Sequence, residues 1–247
     1  MYPILHELLA DKKGGEVFTL FSGWHFLYIA LTLCVTAFVL HKRRGAQIRR
    51  AAQMFLNIAF GLYVADFFLM PLAYNEIDIE KLPFHACTAM CVMCFLSHRI
   101  PVLEKYRPSF ELLGLISNLV YLIYPAGVMW HAVHPLTYRV IQTLLFHSAM
   151  TVYGVLALAC DRGRTNRRLD LAVTVGMTVW AMLGNWVYNG TGEGYDHFFN
   201  WFFVIRDPFY IIPDAIAPFV MPFINVALFF LVEMLLRQML AWIKRMK

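Results

Sequence analysis

Residues 18–40 read FTLFSGWHFLYIALTLCVTAFVL, with no Asp, Glu, Lys or Arg, and the ten residues that follow, HKRRGAQIRR, carry five Lys and Arg. An α-helix rising 1.5 Å per residue needs about 20 apolar residues to cross a hydrocarbon core of about 30 Å. The run is long enough for that, and the basic block marks the side of the bilayer on which such a helix ends. The rest of the chain follows suit. Of its 247 residues 60% are hydrophobic and only 15% charged, and the mean hydropathy is +0.58. A soluble domain is about one quarter charged, so the composition excludes one.

Outward from this stretch, apolar runs recur at about 53–73, 82–97, 111–129, 139–160, 169–188 and 215–237. They predict an all-α polytopic membrane helix bundle of seven transmembrane helices, forming a single integral membrane domain over 1–247. Of the 21 Lys and Arg, 16 fall in alternate polar segments and 5 in the others. That bias puts the N-terminus outside and the C-terminus in the cytoplasm. The net charge of +5 is then topology, and no nucleic-acid partner is expected. Glu7, Asp11, Lys12, Lys13 and Glu16 make the first residues too charged for the core of a signal peptide. The outer segment 189–214 is rich in Gly, Pro and aromatic residues. It is expected to lie in the interface or to fold back as a lip over a cavity. Asn189-Gly190-Thr191 within it has the form of a glycosylation acceptor.

The third run opens LPFHACTAMCVMCF, in which Cys87, Cys91 and Cys94 have a spacing found in iron–sulfur sites. On a helix these are positions i, i+4 and i+7, so one stripe carries all three, with the outer sulfurs ~10 Å apart. A cluster needs cysteines wrapped around it by an irregular loop, and a disulfide between adjacent turns of one helix fits poorly. Cys34, Cys91, Cys94 and Cys160 therefore read as small packing residues. No metal and no cofactor is expected.

Ionisable groups inside spans are costly and face a cavity or one another. Measured from the nearest outer flank at 1.5 Å per residue, Cys87 lies ~9 Å deep, Asp66 and His147 ~12 Å and His25 ~13 Å. His85 and Asn185 sit slightly nearer the surface, and Asn225 at a comparable depth. The plain reading of each is an interhelical hydrogen bond. Taken together they form a polar layer with a chemical use. A thiol in hydrocarbon is inert unless an imidazole accepts its proton, and a Cys–His pair oriented by a carboxylate or amide is the minimal apparatus for acyl transfer through a thioester. Asp66 or His25 could orient His147. At this depth the accessible carbonyls are the esters of outer-leaflet phospholipids.

The opening of the third run (Leu82, Pro83, His85, Cys87), Phe21-Ser22 with His25, the histidine of QTLLFHSAM (His147), and NWFFVIRDP with Asn200, Trp201, Phe203, Arg206 and Pro208 resemble the YwaF family of bacterial integral membrane proteins. The resemblance runs in order through nearly the whole chain. The family includes a eukaryotic cysteine-dependent glycerophospholipid acyltransferase and is more distantly similar to the androgen-induced intramembrane hydrolases. Where the family approaches its last span with Gly-Pro-Trp-Pro-Trp-Tyr, this chain has IAPFVMPF. The resemblance implies a multi-pass protein of the bacterial plasma membrane. It makes Cys87 the nucleophile and His147 its base, with a phospholipid as acyl donor and a lysophospholipid or water as acceptor. Asn185 or Asn200 could then serve the oxyanion, while Trp201 and Arg206 on the lip would meet the substrate, Arg206 its phosphate. The alternative is a transporter or binding protein that uses the same His and Asp groups for a solute or for protons.

Overall fold

A computed structural model describes residues 9–10, 15–74, 79–129, 132–161, 166–190, 200–207 and 211–245. The described residues are all helix, turn and irregular chain, with no strand among them. The longer helices are α1 (Gly23–Lys42), α2 (Ala46–Tyr74), α3 (Ala86–Ser97), α4 (Arg107–Ile123), α5 (Tyr138–Asp161), α6 (Arg167–Gly190) and α7 (Ala217–Arg245). Among the described residues, α1, α2, α5, α6 and α7 are long and apolar enough to cross a membrane. The 17 residues of α4 and the 12 of α3 fall short of the length a crossing needs; 12 residues span about 18 Å. Each apolar run of the sequence thus contains a helix, and five of those helices meet the requirement for a span.

The boundaries have local causes. In the first run, helix begins only at Gly23, because Ser22 takes an extended conformation and its side chain accepts from the His25 N–H. Residues 18–22 instead form a turn through Phe21 at φ 57°, tied down where the Phe18 N–H donates to the Val133 carbonyl. A 3-10 turn, Ile79–Lys81, leads into the third run, and the turn around Pro83 occupies the run's first residues, so α3 starts at Ala86. The fourth run breaks at Tyr124, ahead of Pro125, and resumes as a single turn, Ala126–Met129. A proline disfavours helical backbone in the residue before it.

α5 is the centre of the molecule. It packs along α2, α4 and α1, while α3 packs on α2 and α4 from the other side and α6 joins α4 to α7. The approach of α5 to α4 depends on Gly154, where a Cβ would lie 2.6 Å from the Leu115 Cβ and 3.2 Å from its Cα. Inside the set α2 to α5 the core is apolar: Leu56, Ala59, Met90, Cys91, Leu113, Met150 and Leu156 are all buried there. Many outward side chains are large and apolar, such as Phe26, Phe38, Phe68, Trp186 and Phe223, as expected of helices facing lipid tails.

Candidate functional site

His147 lies just before the midpoint of α5 and is almost completely buried. Its Nδ1 lies 2.7 Å from Oδ1 of Asn118 on α4, and the Asn118 amide nitrogen donates to the Gly114 carbonyl at 2.7 Å. That second bond identifies Oδ1 as the acceptor. The imidazole proton therefore sits on Nδ1, and Nε2 keeps its lone pair. Tyr121 of α4 stacks on the ring at 3.7 Å between centroids, and Phe146 meets it edge-on at 5.0 Å. The imidazole is held in one tautomer and one plane.

Asn118 was missed in the sequence reading. It lies in LISNLVYLI, seven residues before the break at Pro125, which puts it ~10 Å deep at 1.5 Å per residue. The count that assembled the polar layer would have placed it there.

The other members of the layer have partners of their own. Asp66 forms an ion pair with Lys81, Oδ2 to Nζ 2.9 Å, and Tyr63 donates from its hydroxyl to the Lys81 carbonyl at 2.9 Å. His25 accepts at Nδ1 from the Phe21 N–H at 3.0 Å and donates from Nε2 to the Leu122 carbonyl at 2.7 Å. Both of its ring nitrogens are used. Neither Asp66 nor His25 is bonded to His147; the orienting position belongs to Asn118.

Cys87 is the second residue of α3, with His85 as the N-cap. It is half-buried and packs against the core, while Cys91 and Cys94 are fully buried along the same helix. The first turn of a helix has unpaired backbone N–H groups. Cys87 and His147 stand on helices that each pack on α2 and α4, but no hydrogen bond joins them. Among the described residues no three His, Cys, Asp or Glu side chains gather as a metal site, and Cys87, Cys91 and Cys94 form one helical stripe.

The described parts of segment 189–214 fold back against this end of the bundle. Trp201 is buried, its ring 4.8 Å from Phe84 and 5.4 Å from Tyr188. Asn185 of α6 grips its backbone from both sides, accepting from the Trp201 N–H at 2.9 Å and donating to its carbonyl at 3.0 Å. The second amide hydrogen of Asn185 goes to the Ala181 carbonyl, leaving none for a substrate oxyanion. Asn200 closes the next turn, accepting from the N–H groups of Ile205 and Arg206 and donating to the Arg206 carbonyl. Between them Phe202 and Phe203 take left-handed backbone, φ 57° and 51°. Asn225 of α7 donates to both of their carbonyls. Arg206 pairs with Asp214 at 3.0 Å. The Phe202 N–H points to Nδ1 of His85 at 3.4 Å, so the lip ends next to the residue that caps α3. Thus Asn185, Asn200 and Trp201 build the lip itself. Residues 191–199 and 208–210, and with them Thr191 of the glycosylation triplet, lie outside the described residues.

Comparisons with protein families, with curated proteins and with solved structures found no match to this chain.

Proposed function

We propose that this is a seven-span membrane protein, N-terminus outside, of the YwaF type, which transfers acyl groups from glycerophospholipids through a thioester on Cys87. The observation that carries the reading is the His147–Asn118 pair: a buried imidazole with its Nδ1 proton fixed on an amide and its Nε2 lone pair available as a base. A histidine oriented by an amide, together with a cysteine, is a known apparatus for acyl transfer. The seven-span count takes α3 and α4 together with their flanking turns as crossings, and the Lys and Arg bias supplies the orientation.

In this mechanism Nε2 of His147 takes the thiol proton and the Cys87 sulfur attacks the carbonyl carbon of a fatty-acyl ester. The carbon–oxygen bond breaks, and the leaving lysophospholipid oxygen takes its proton from the imidazolium. The thioester is then attacked by a hydroxyl of a second lysophospholipid, or by water, with His147 again accepting the proton. The sulfur leaves as the thiol. Asn118 holds the ring through both halves. The lip over His85 shields the thioester from bulk water.

The rival reading, transport of a solute or proton through the same layer, needs a continuous relay. His25 is committed to two backbone groups and Asp66 to Lys81, so the layer divides into separate units. Reconstituted protein separates the two readings. Cys87→Ala should abolish transfer of a labelled acyl chain between phospholipid and lysophospholipid, and transfer at the wild-type rate in that variant would reject the mechanism.

A further inference from the structure

A cavity lies at the opposite end of the same four helices. Set between the start of α2, the end of α3, the start of α4 and the end of α5, it has a volume of about 460 Å³ and is lined among others by Arg49, Arg50, Arg107, His98, Glu111 and Tyr153. His98 lies eleven residues beyond Cys87, about 16 Å along α3, so this cavity is separate from the thiol. Its floor is ordered. Tyr153, buried, donates to Glu111 Oε1 at 2.9 Å and receives a bond from His98 Nε2 at 3.3 Å. Arg107 approaches Glu111 at 3.8 Å and Glu104 at 3.9 Å. Both distances exceed hydrogen-bonding range, which leaves guanidinium donors for a further acceptor. Arg49 and Arg50 have no carboxylate within ion-pair distance among the described residues.

Arginines at the cytoplasmic ends of spans are expected from topology alone. Here three of them line one concavity around a buried, hydrogen-bonded carboxylate, and that arrangement specifies a ligand. Guanidinium forks match phosphate oxygens. Glu111 at the floor disfavours a bare polyanion and favours a ligand whose phosphate is accompanied by a hydroxyl or ammonium donor. The cavity is also open sideways. Arg50 and Gln53 line, in addition, an adjoining groove of about 490 Å³ along α2 with Met54, Asn57 and Ile58. Met54 and Ile58 are exposed, an apolar wall leading from the arginines along the outer face of the bundle.

We propose that this cavity binds an anionic phospholipid of the leaflet at the arginine-rich end. Its phosphate lies on Arg49, Arg50 and Arg107, a headgroup hydroxyl reaches the Glu111 network, and an acyl chain runs along Met54 and Ile58. Only the naming of that leaflet as cytoplasmic rests on the proposed orientation. The site places a lipid across the seam of α2, α4 and α5, of which α4 carries Asn118 and α5 His147.

The test uses full-length protein in detergent, mixed with phosphatidylglycerol or phosphatidylcholine, with bound lipid counted by native mass spectrometry. Phosphatidylglycerol should be retained in preference to phosphatidylcholine. The double variant R49Q/R50Q should lower its occupancy by about tenfold or more, the scale of about 1.4 kcal/mol. R167Q/R168Q, two arginines at the start of α6 outside the cavity, should leave it unchanged. Equal loss in both doubles would show diffuse charge attraction and overturn the site, as would equal retention of the two lipids. Displacement by inorganic phosphate at the lipid's own concentration would assign the cavity to a water-borne anion and overturn the lipid. A readout without substitution is alkylation of Cys160, which also lines the cavity. Phosphatidylglycerol should slow it relative to alkylation of Cys34, and an unchanged ratio would contradict the proposal. None of these readouts passes through Cys87, so their outcome is independent of the acyl-transfer reading.

Discussion

At the scale of single residues, the proposed chemistry depends on one sulfur and one imidazole. Cys87→Ala removes the nucleophile and should abolish transfer. Cys91→Ala and Cys94→Ala should retain transfer while lowering stability by about 1 kcal/mol each, because both side chains are fully buried and each loses a sulfur from a packed core. Melting in detergent together with a transfer assay separates the three. Asn118→Ala releases Nδ1 of His147 and permits the wrong tautomer, so the turnover rate should fall by about 10²-fold, the usual scale for a positioned base, with KM little changed. Asn118→Asp, which keeps an acceptor for the Nδ1 proton, should recover part of that loss, and equal rates in both variants would deny Asn118 its orienting role. Sulfur, imidazole and carboxylate stand out in apolar runs and so were legible in the sequence as a polar layer, whereas the Asn118 amide was not. The pairing was not legible either: Asp66 meets Lys81 and His147 meets Asn118 across helix contacts that depth along a span leaves undetermined, since depth fixes height but not the direction in which a side chain points.

At the scale of elements, the apolar runs marked where helices form, because a backbone in hydrocarbon must satisfy its own hydrogen bonds. The ends of those helices depended on chemistry that hydropathy does not weigh. Ser22 caps α1 inside an apolar run, and Pro125 ends α4 within another. The lip was legible as an aromatic segment rich in turn residues, but its left-handed Phe202 and Phe203 could not be foreseen, since their carbonyls are held from outside by Asn225 and the Trp201 backbone before them by Asn185. Removing one holder should loosen it: Asn185→Ala deletes the two bonds to the Trp201 backbone and should cost about 1–3 kcal/mol, seen as a lower melting temperature and faster proteolysis of the lip. The α4–α5 contact is equally specific. Gly154→Ala would drive a methyl group into the Leu115 backbone and should cost about 1–3 kcal/mol; a variant as stable as the parent would mean that these helices can separate without loss.

At the scale of the whole molecule, the helices α2 to α5 carry the proposed thiol–imidazole site at one end and the arginine-lined cavity at the other. Orientation decides which leaflet each one meets. A fluorescent reporter fused after Lys247 should fold and fluoresce on the cytoplasmic side, and a location on the opposite side would invert both assignments. Composition alone identified a chain for the bilayer, and the Lys and Arg bias proposed its direction, because both are sums over many residues and survive errors at any one. The chemistry is a property of a few atoms and needs its own measurement. Purified protein incubated with mixed phospholipids should show, by intact mass, an acyl adduct that maps to Cys87, is released by hydroxylamine and is absent from Cys87→Ala. Lipid bound to the protein with Cys87 unmodified would contradict the thioester mechanism.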